Sequence, residues 1–108
     1  MVLSIQSKLR YNMFAKIHNN GMFQVLAICD EDLIGKVIED RDIKIEISES
    51  FYKGEKKNEK EVLKLMQNSG NINMIGNNCI KIAIDNGIIH EENVIFIKKI
   101  PHAQVVSL

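Results

Sequence analysis

The residues that could carry acid–base or metal chemistry are a few acids, one thiol and one histidine. Asp30 follows an apolar run, and Glu49 follows a second apolar segment. His102 comes directly after Pro101, whose ring fixes φ and constrains the direction of the chain there. An imidazole can act as a base, a ligand or a switch near neutral pH. We predict that His102 is held against Asp30 or Glu49 as a structural tether, and the alternative is a small enzyme or metal-binding protein that uses His102 with Asp30, Glu49 or Cys29.

A second candidate group is a run of lysines beside two aromatic residues. It consists of Phe51, Tyr52, Lys53, Lys56, Lys57, Lys60 and Lys64. Glutamates are interspersed, as is typical of a solvated helix face. Aromatic and basic side chains in alternation are also what binders of single-stranded RNA use for stacking and for backbone contacts. The nucleic-acid-binding candidates are therefore Tyr52, Lys53, Lys56, Lys57 and Lys60.

The familiar site motifs do not occur in this chain. It contains no GxxxxGK[ST], GxGxxG or CxxC sequence, so we expect no phosphate loop, zinc ribbon, metal or cofactor. The only two cysteines, Cys29 and Cys79, stand in apolar surroundings typical of reduced core residues in a cytoplasmic protein. No apolar run approaches the ~20 residues of a membrane span. We therefore expect neither a membrane partner nor a secreted disulfide framework.

Charge is balanced overall but unevenly distributed. The formal net charge is zero. Residues 1–29 contain three basic residues and no acid, whereas residues 30–55 contain nine acids and four basic residues. This bipolar distribution favours oriented docking or self-association more than a uniform polyanion-binding surface.

Two apolar segments and a turn must position these groups. The stretch 23–29 is almost continuously apolar, which predicts a strand buried on both faces. Asp30 is expected to cap a one-turn helix that Gly35 ends in the left-handed conformation. Alternation of Ile43, Ile45 and Ile47 with polar residues predicts a second strand, also part of the core. The segment 48–54 is expected to be an exposed loop.

A hairpin precedes the first of these strands. Residues 13–18 are the other strand candidate, and Asn19-Asn20-Gly21 provides residues that tolerate positive φ. A three-residue loop would place Ile17 opposite Phe23 and Lys16 opposite Gln24.

The C-terminal half predicts two helices and two strands. Asn58 and Glu61 form a capping box for the first helix. Apolar spacing predicts the second helix over 72–86, with Ile84 in the core, and Gly76 marks either close packing or a later start at Asn77. A buried strand is expected over 94–97 and a last strand over 103–106, and Pro101 is expected to interrupt the extended structure between them.

Four blocks, KIHNNG, CDEDLIGK, ISESFYKG and IPHAQVV, occur in this order over roughly residues 13–108. Together they resemble the archaeal domain-of-unknown-function family 424. The resemblance implies a small archaeal protein of α+β type, in a family without an established activity that is grouped with predicted RNA-binding, translation-associated proteins. It assigns no catalytic residue.

These observations combine into one prediction of fold and function. We expect an N-terminal extension over 1–12 and a single α+β domain over 13–108. Its sheet should be twisted, mainly antiparallel or mixed, with four to five strands and two helices packed on one face. The expected function is a non-enzymatic binding module that contacts RNA or a translation-associated protein, and the sequence leaves homo-oligomers open.

Overall fold

A computed structural model describes residues 10–107 of the chain. The strands are β1 (Met13–Asn19), β2 (Gln24–Asp30), β3 (Val37–Asp40), β4 (Ile43–Glu46), β5 (Glu55–Lys57), β6 (Asn71–Ile75), β7 (Ile95–Ile97) and β8 (Ile100–Val106). The α-helices are α1 (Glu49–Tyr52), α2 (Glu59–Gln67) and α3 (Asn77–Asp85), and single 3₁₀ turns lie at Glu31–Leu33 and Glu91–Asn93.

Six strands form one mixed sheet in the order β5-β1-β2-β6-β8-β7. Only β2 and β6 run parallel, and the other neighbours are antiparallel. The strands β3 and β4 form a separate antiparallel hairpin. The α+β class is confirmed, whereas the expected four to five strands and two helices are too few.

Each face of the six-stranded sheet carries its own apolar cluster. On one face, here called the helix face, Leu26 and Ile28 of β2 pack with Val62 of α2 and Ile80 of α3. On the other, here called the open face, Ala27 and Cys29 pack with residues of β4, α1 and the first 3₁₀ turn. Alternating residues of β2 are therefore buried on opposite sides, which explains its continuous apolar sequence.

The capping box of α2 is confirmed. Asn58 Oδ1 accepts from the N–H of Glu61, and Glu61 Oε1 accepts from the N–H of Asn58. Val62 and Met66 form the buried stripe of this helix.

The register of the β1–β2 hairpin differs from the prediction. Asn19 pairs with Gln24, and Ile17 pairs with Leu26 rather than with Phe23. The loop is therefore four residues long, because the side chain of Asn20 accepts from the N–H of Phe23 and holds Phe23 in the turn. Such side-chain turns compete with strand pairing and were not visible in the apolar pattern.

The predicted helix over 72–86 is wrong in its first part. Residues 71–75 form the central strand β6, Gly76 has φ +121°, and α3 begins at Asn77. The apolar residues 72, 74 and 75 fit a strand buried on both faces as well as they fit a helix, and Gly76 is the boundary between the two.

Pro101 lies inside β8 and does not interrupt this strand, contrary to the prediction. It stands beside Gly76, whose N–H donates to the Pro101 carbonyl over 2.9 Å. Proline cannot return this hydrogen bond. The Gly76 carbonyl instead accepts from the N–H of Ile80 in the first turn of α3, so the absent donor leaves no backbone group unpaired at this point.

Three predicted core positions are less buried than expected. Ile43 and Ile45 belong to the β3–β4 hairpin, where Ile43 is exposed and only the following Ile47 is fully buried. Ile84 is half-buried on α3. The strand β7 was predicted to be buried, but it lies at a sheet edge and most of it is exposed.

None of the helices within residues 10–107 has the length and apolar composition to cross a membrane. The prediction of an N-terminal extension concerns mainly residues 1–9, which lie outside the described residues.

Candidate functional site

Asp30 is a buried cap of a distant helix and does not cap its own turn. Its Oδ2 accepts from the N–H of Asn78 over 2.8 Å and its Oδ1 from the N–H of Cys79 over 3.1 Å. The N-cap of α3 is Gly76, which has no side chain, so the Asp30 carboxylate satisfies these donors instead. Burial raises the pKa of Asp30, and the two N–H groups oppose that shift. The expected capping role of Asp30 in the 30–35 turn is therefore wrong.

The two cysteines are buried free thiols beside Asp30. Burial, followed by the charge of Asp30, raises the pKa of Cys29 to about 12. The same causes raise the pKa of Cys79, whose Sγ donates to the Ile75 carbonyl. A reactive cysteine needs a lowered pKa and access to solvent, so neither thiol has the properties of a nucleophile.

His102 does not contact the carboxylates predicted for it. Its side chain belongs to the open face, whereas the carboxylate of Asp30 points to α3 on the helix face. The ring is buried, and its Nδ1 lies 2.9 Å from the Met74 carbonyl. Glu49 is exposed on α1 and pairs with Lys53 over 3.8 Å. The predicted pair fails because residues 30 and 102 have opposite side-chain directions in the sheet.

The lysine run is divided among several surfaces. In β5, Lys56 lies over the ring of Phe14 on the open face, and alternation turns Lys57 to the other face. Lys56 pairs with Glu31 at 2.9 Å and Lys57 with Glu55 at 3.0 Å. Lys60 is exposed on α2. These lysines do not form the continuous basic strip that the sequence indicated.

The aromatic residues next to the lysines are also not an exposed pair. Tyr52 is 4% exposed, and its hydroxyl donates to Asn73 Oδ1. Phe51 stacks on the ring of His18 with 4.7 Å between centroids, and His18 Nε2 lies 2.8 Å from the Phe51 carbonyl. The segment 48–54 is therefore an ordered helical turn capped by Ser48. Tyr52 cannot stack on a nucleobase in this arrangement.

The open face contains a cleft of about 470 Å³ beyond the part that α1 covers. This cleft, here called the amide cleft, is lined chiefly by Phe23, Val25, Phe51, Asn73, Gln104 and Val106. Asn73 and Gln104 are direct cross-strand partners, so their two carboxamides stand side by side on the floor. Phe23 is 57% exposed and Val106 is 65% exposed, which leaves apolar surface open to a ligand.

Lys16 lies in the same cross-strand row as the two carboxamides. The row runs through Lys16, Ala27, Asn73 and Gln104. Lys16 Nζ donates to the Ser50 carbonyl over 2.7 Å, at the edge of α1. Beside the amide cleft, the open face thus combines aromatic rings and amide groups with the ammonium group of Lys16.

Asn73, Gln104 and Phe23 were not among the site residues expected from the sequence. Asn73 belongs to the segment that was wrongly predicted to be helical. Phe23 was assigned to a strand with the wrong register. The available signal was the polar–apolar alternation of residues 71–75 and 103–106, which assigns Asn73 and Gln104 to one face once both segments are strands.

The fold and this cleft define an α+β protein with a mixed sheet, two helices on one face and a partly open opposite face. The chain belongs to the family described as "Protein of unknown function (DUF424)", which matches residues 17–108. It is similar to an uncharacterized conserved protein from Methanopyrus kandleri, whose crystal structure is known. The two sequences are 27% identical, and the two structures superpose with a TM-score of 0.72. That similarity covers 90% of this chain and 95% of the other. No curated protein matches the chain.

Proposed function

We propose that this protein is a non-enzymatic binding module and that the amide cleft binds a base of single-stranded RNA. The observation that carries the proposal is the pair of carboxamides between aromatic side chains on an uncovered part of a sheet. Unstacked RNA bases bind aromatic faces and donate and accept hydrogen bonds along their edges. A carboxamide offers both a donor and an acceptor, as such an edge requires.

The residues around the amide cleft favour binding over catalysis. Among the described lining residues there is no carboxylate, imidazole or thiol. Two of the groups that the alternative enzyme hypothesis names have structural contacts in the interior, since Asp30 caps α3 and His102 contacts the Met74 carbonyl. A third, Glu49, is exposed and pairs with Lys53. A cytoplasmic location, with RNA or a translation-associated protein as partner, is part of the same proposal.

Electrostatics would contribute little to this binding. The chain has zero net charge, and Lys53, Lys56 and Lys57 each pair with a glutamate. Few phosphates would be neutralised, so we expect weak affinity and a shallow dependence on salt. Stacking, at about 1–3 kcal/mol per base, would supply most of the free energy.

The test is fluorescence anisotropy with labelled single-stranded oligonucleotides of A, C and U. Phe23→Ala should lower affinity by about 1–3 kcal/mol through lost stacking. Gln104→Ala should lower it by about 0.5–1.5 kcal/mol through lost hydrogen bonds. Phe96→Ala and Gln67→Ala are matched controls, because both side chains are exposed away from the cleft.

Two results would contradict the proposal. One is the absence of RNA binding at any protein concentration reached. The other is binding that Phe23→Ala and Gln104→Ala leave unchanged while a double neutralisation of Lys56 and Lys57 weakens it. The latter result would place the contact on the lysine run.

A further inference from the structure

Among residues 10–107, the strand β7 forms one edge of the six-stranded sheet, opposite the edge formed by β5. Its hairpin with β8 has the two-residue turn Lys98-Lys99, and Ile97 pairs with Ile100. The residues that flank a two-residue turn form a hydrogen-bonded pair. The backbone N–H and C=O groups of Ile95 and Ile97 therefore point toward β8. Those of Phe96 point outward, away from the sheet.

Both edge strands are three residues long, but β7 lacks the charges that protect β5. The strand β5 has the sequence Glu-Lys-Lys, and such charges prevent edge-to-edge pairing. The strand β7 is Ile-Phe-Ile, with Ile95 51% and Phe96 65% exposed. An exposed apolar edge strand with free backbone groups is a template for another strand.

A groove of about 590 Å³ lies behind β7 on the helix face. Phe96 and Pro101 line one side, and Ile80 and Ile84 of α3 line the other. Lys81 and Asp85 stand at its rim and pair with each other. A strand added to β7 would bring its own side chains to this groove as well as to the backbone of Phe96.

The charges that flank β7 identify the partner. Glu91 and Glu92 precede the strand, and Lys98 and Lys99 follow it. Antiparallel pairing of β7 with a second β7 brings the acidic end of each strand to the basic end of the other. A two-fold interface requires such a self-complementary surface. We propose that β7 pairs with the β7 of a second copy of this chain, forming a homodimer with a continuous sheet.

This dimer is independent of RNA binding, because the amide cleft is lined by residues of other strands. The backbone N–H of Lys98 is already bound to Asp40 Oδ2 over 3.2 Å. The new hydrogen bonds must therefore centre on Phe96.

The first test is sedimentation equilibrium of the full chain over a wide concentration range. We expect a concentration-dependent mass that approaches twice 12.3 kDa. Phe96→Pro removes the outward N–H, and proline is tolerated in edge strands, so this variant should raise the dimer dissociation constant about ten-fold or more. Ile17→Lys is the control, since Ile17 is 53% exposed on β1, which β2, β6 and β8 separate from β7 in the sheet.

The second test reverses the charges at one end of β7 at a time. The variant Glu91→Lys with Glu92→Lys has two basic ends, and the variant Lys98→Glu with Lys99→Glu has two acidic ends. Each should be monomeric because like charges then meet, and an equimolar mixture should recover a heterodimer. Circular dichroism checks that both variants remain folded.

Three outcomes would overturn the inference. They are a monomeric wild-type chain at every concentration, a dimer that Phe96→Pro leaves unchanged, and charge variants that do not recover association when mixed. If the partner at this edge is another kind of protein, the wild-type chain will be monomeric at every concentration and will capture that partner.

Discussion

At the scale of single residues, the contact between Asp30 and Gly76 connects the first half of the chain to the second. Gly76 has φ +121°, and a Cβ placed there would meet the Asp30 carboxylate. Only glycine fits both conditions. The sequence indicated Gly76 as a point of close packing or of a helix start, but not that Asp30 supplies the cap, because sequence patterns report local capping and residues 30 and 76 are far apart in the chain.

Gly76→Ala tests this contact. We expect a loss of about 2–4 kcal/mol in the free energy of unfolding, because backbone strain and a steric clash add. Gly87→Ala is the matched control, since Gly87 has φ +72° and open space around it. It should cost only the conformational term of about 1 kcal/mol. Equal losses in urea denaturation would show that the approach to Asp30 has no energetic effect.

The ionisation of Asp30 predicts a dependence of stability on pH. Burial raises the pKa of Asp30 above its ordinary value of 3.8, so the folded protein holds this proton more strongly than the unfolded chain. The contribution of Asp30 is therefore greatest below pH 3.8 and is lost as pH rises through the folded pKa.

We expect the stability advantage of the wild type over Asp30→Asn to shrink as pH rises through this window. Denaturation of both proteins at several pH values between about 3 and 7 measures the difference, with the wild-type curve as reference. An advantage that grows with pH would mean that the N–H groups of Asn78 and Cys79 outweigh the desolvation of the carboxylate.

At the scale of elements, the two-residue capping box was a reliable local signal, whereas the single capping residue Asp30 and the pairing signals were not. The capping box of α2 was predictable because Asn58 and Glu61 are three residues apart and act on the same turn. The β1–β2 register was not, because a side-chain bond of Asn20 extends the loop. Residues 72–75 were ambiguous because a short apolar run suits a buried strand and a helix equally.

The β7–β8 turn contains a strained pair that sequence did not indicate. Lys98 and Lys99 have φ of 49° and 68°, the left-handed region that Asn-Gly normally occupies in two-residue hairpins. Lys99→Gly should therefore raise the free energy of unfolding by about 1 kcal/mol. Lys99→Ala removes the same charge without relieving φ and should not stabilise, so a gain in both variants at monomeric concentrations would assign the effect to charge.

At the scale of the whole molecule, the α+β class was predictable and the layer arrangement was not. Alternation and helical spacing identified most segments, but nothing local indicates that β3 and β4 leave the main sheet or that β6 lies between β2 and β8. The amide cleft exists only because β6 and β8 are neighbours, since this pairing places Asn73 opposite Gln104. The site was therefore harder to predict than the fold class.

Binding of single-stranded RNA in the amide cleft can be tested by an NMR titration that observes the side-chain amide groups themselves. A ¹⁵N-labelled protein is titrated with single-stranded RNA of about eight nucleotides, a length within the usual site size of such binders. We predict that the side-chain NH₂ signals of Asn73 and Gln104 shift together. The signal of Asn68, whose amide donates to the Lys64 carbonyl on α2, should stay in place. Unchanged Asn73 and Gln104 signals, with or without shifts along Lys56–Lys60, would contradict the claim.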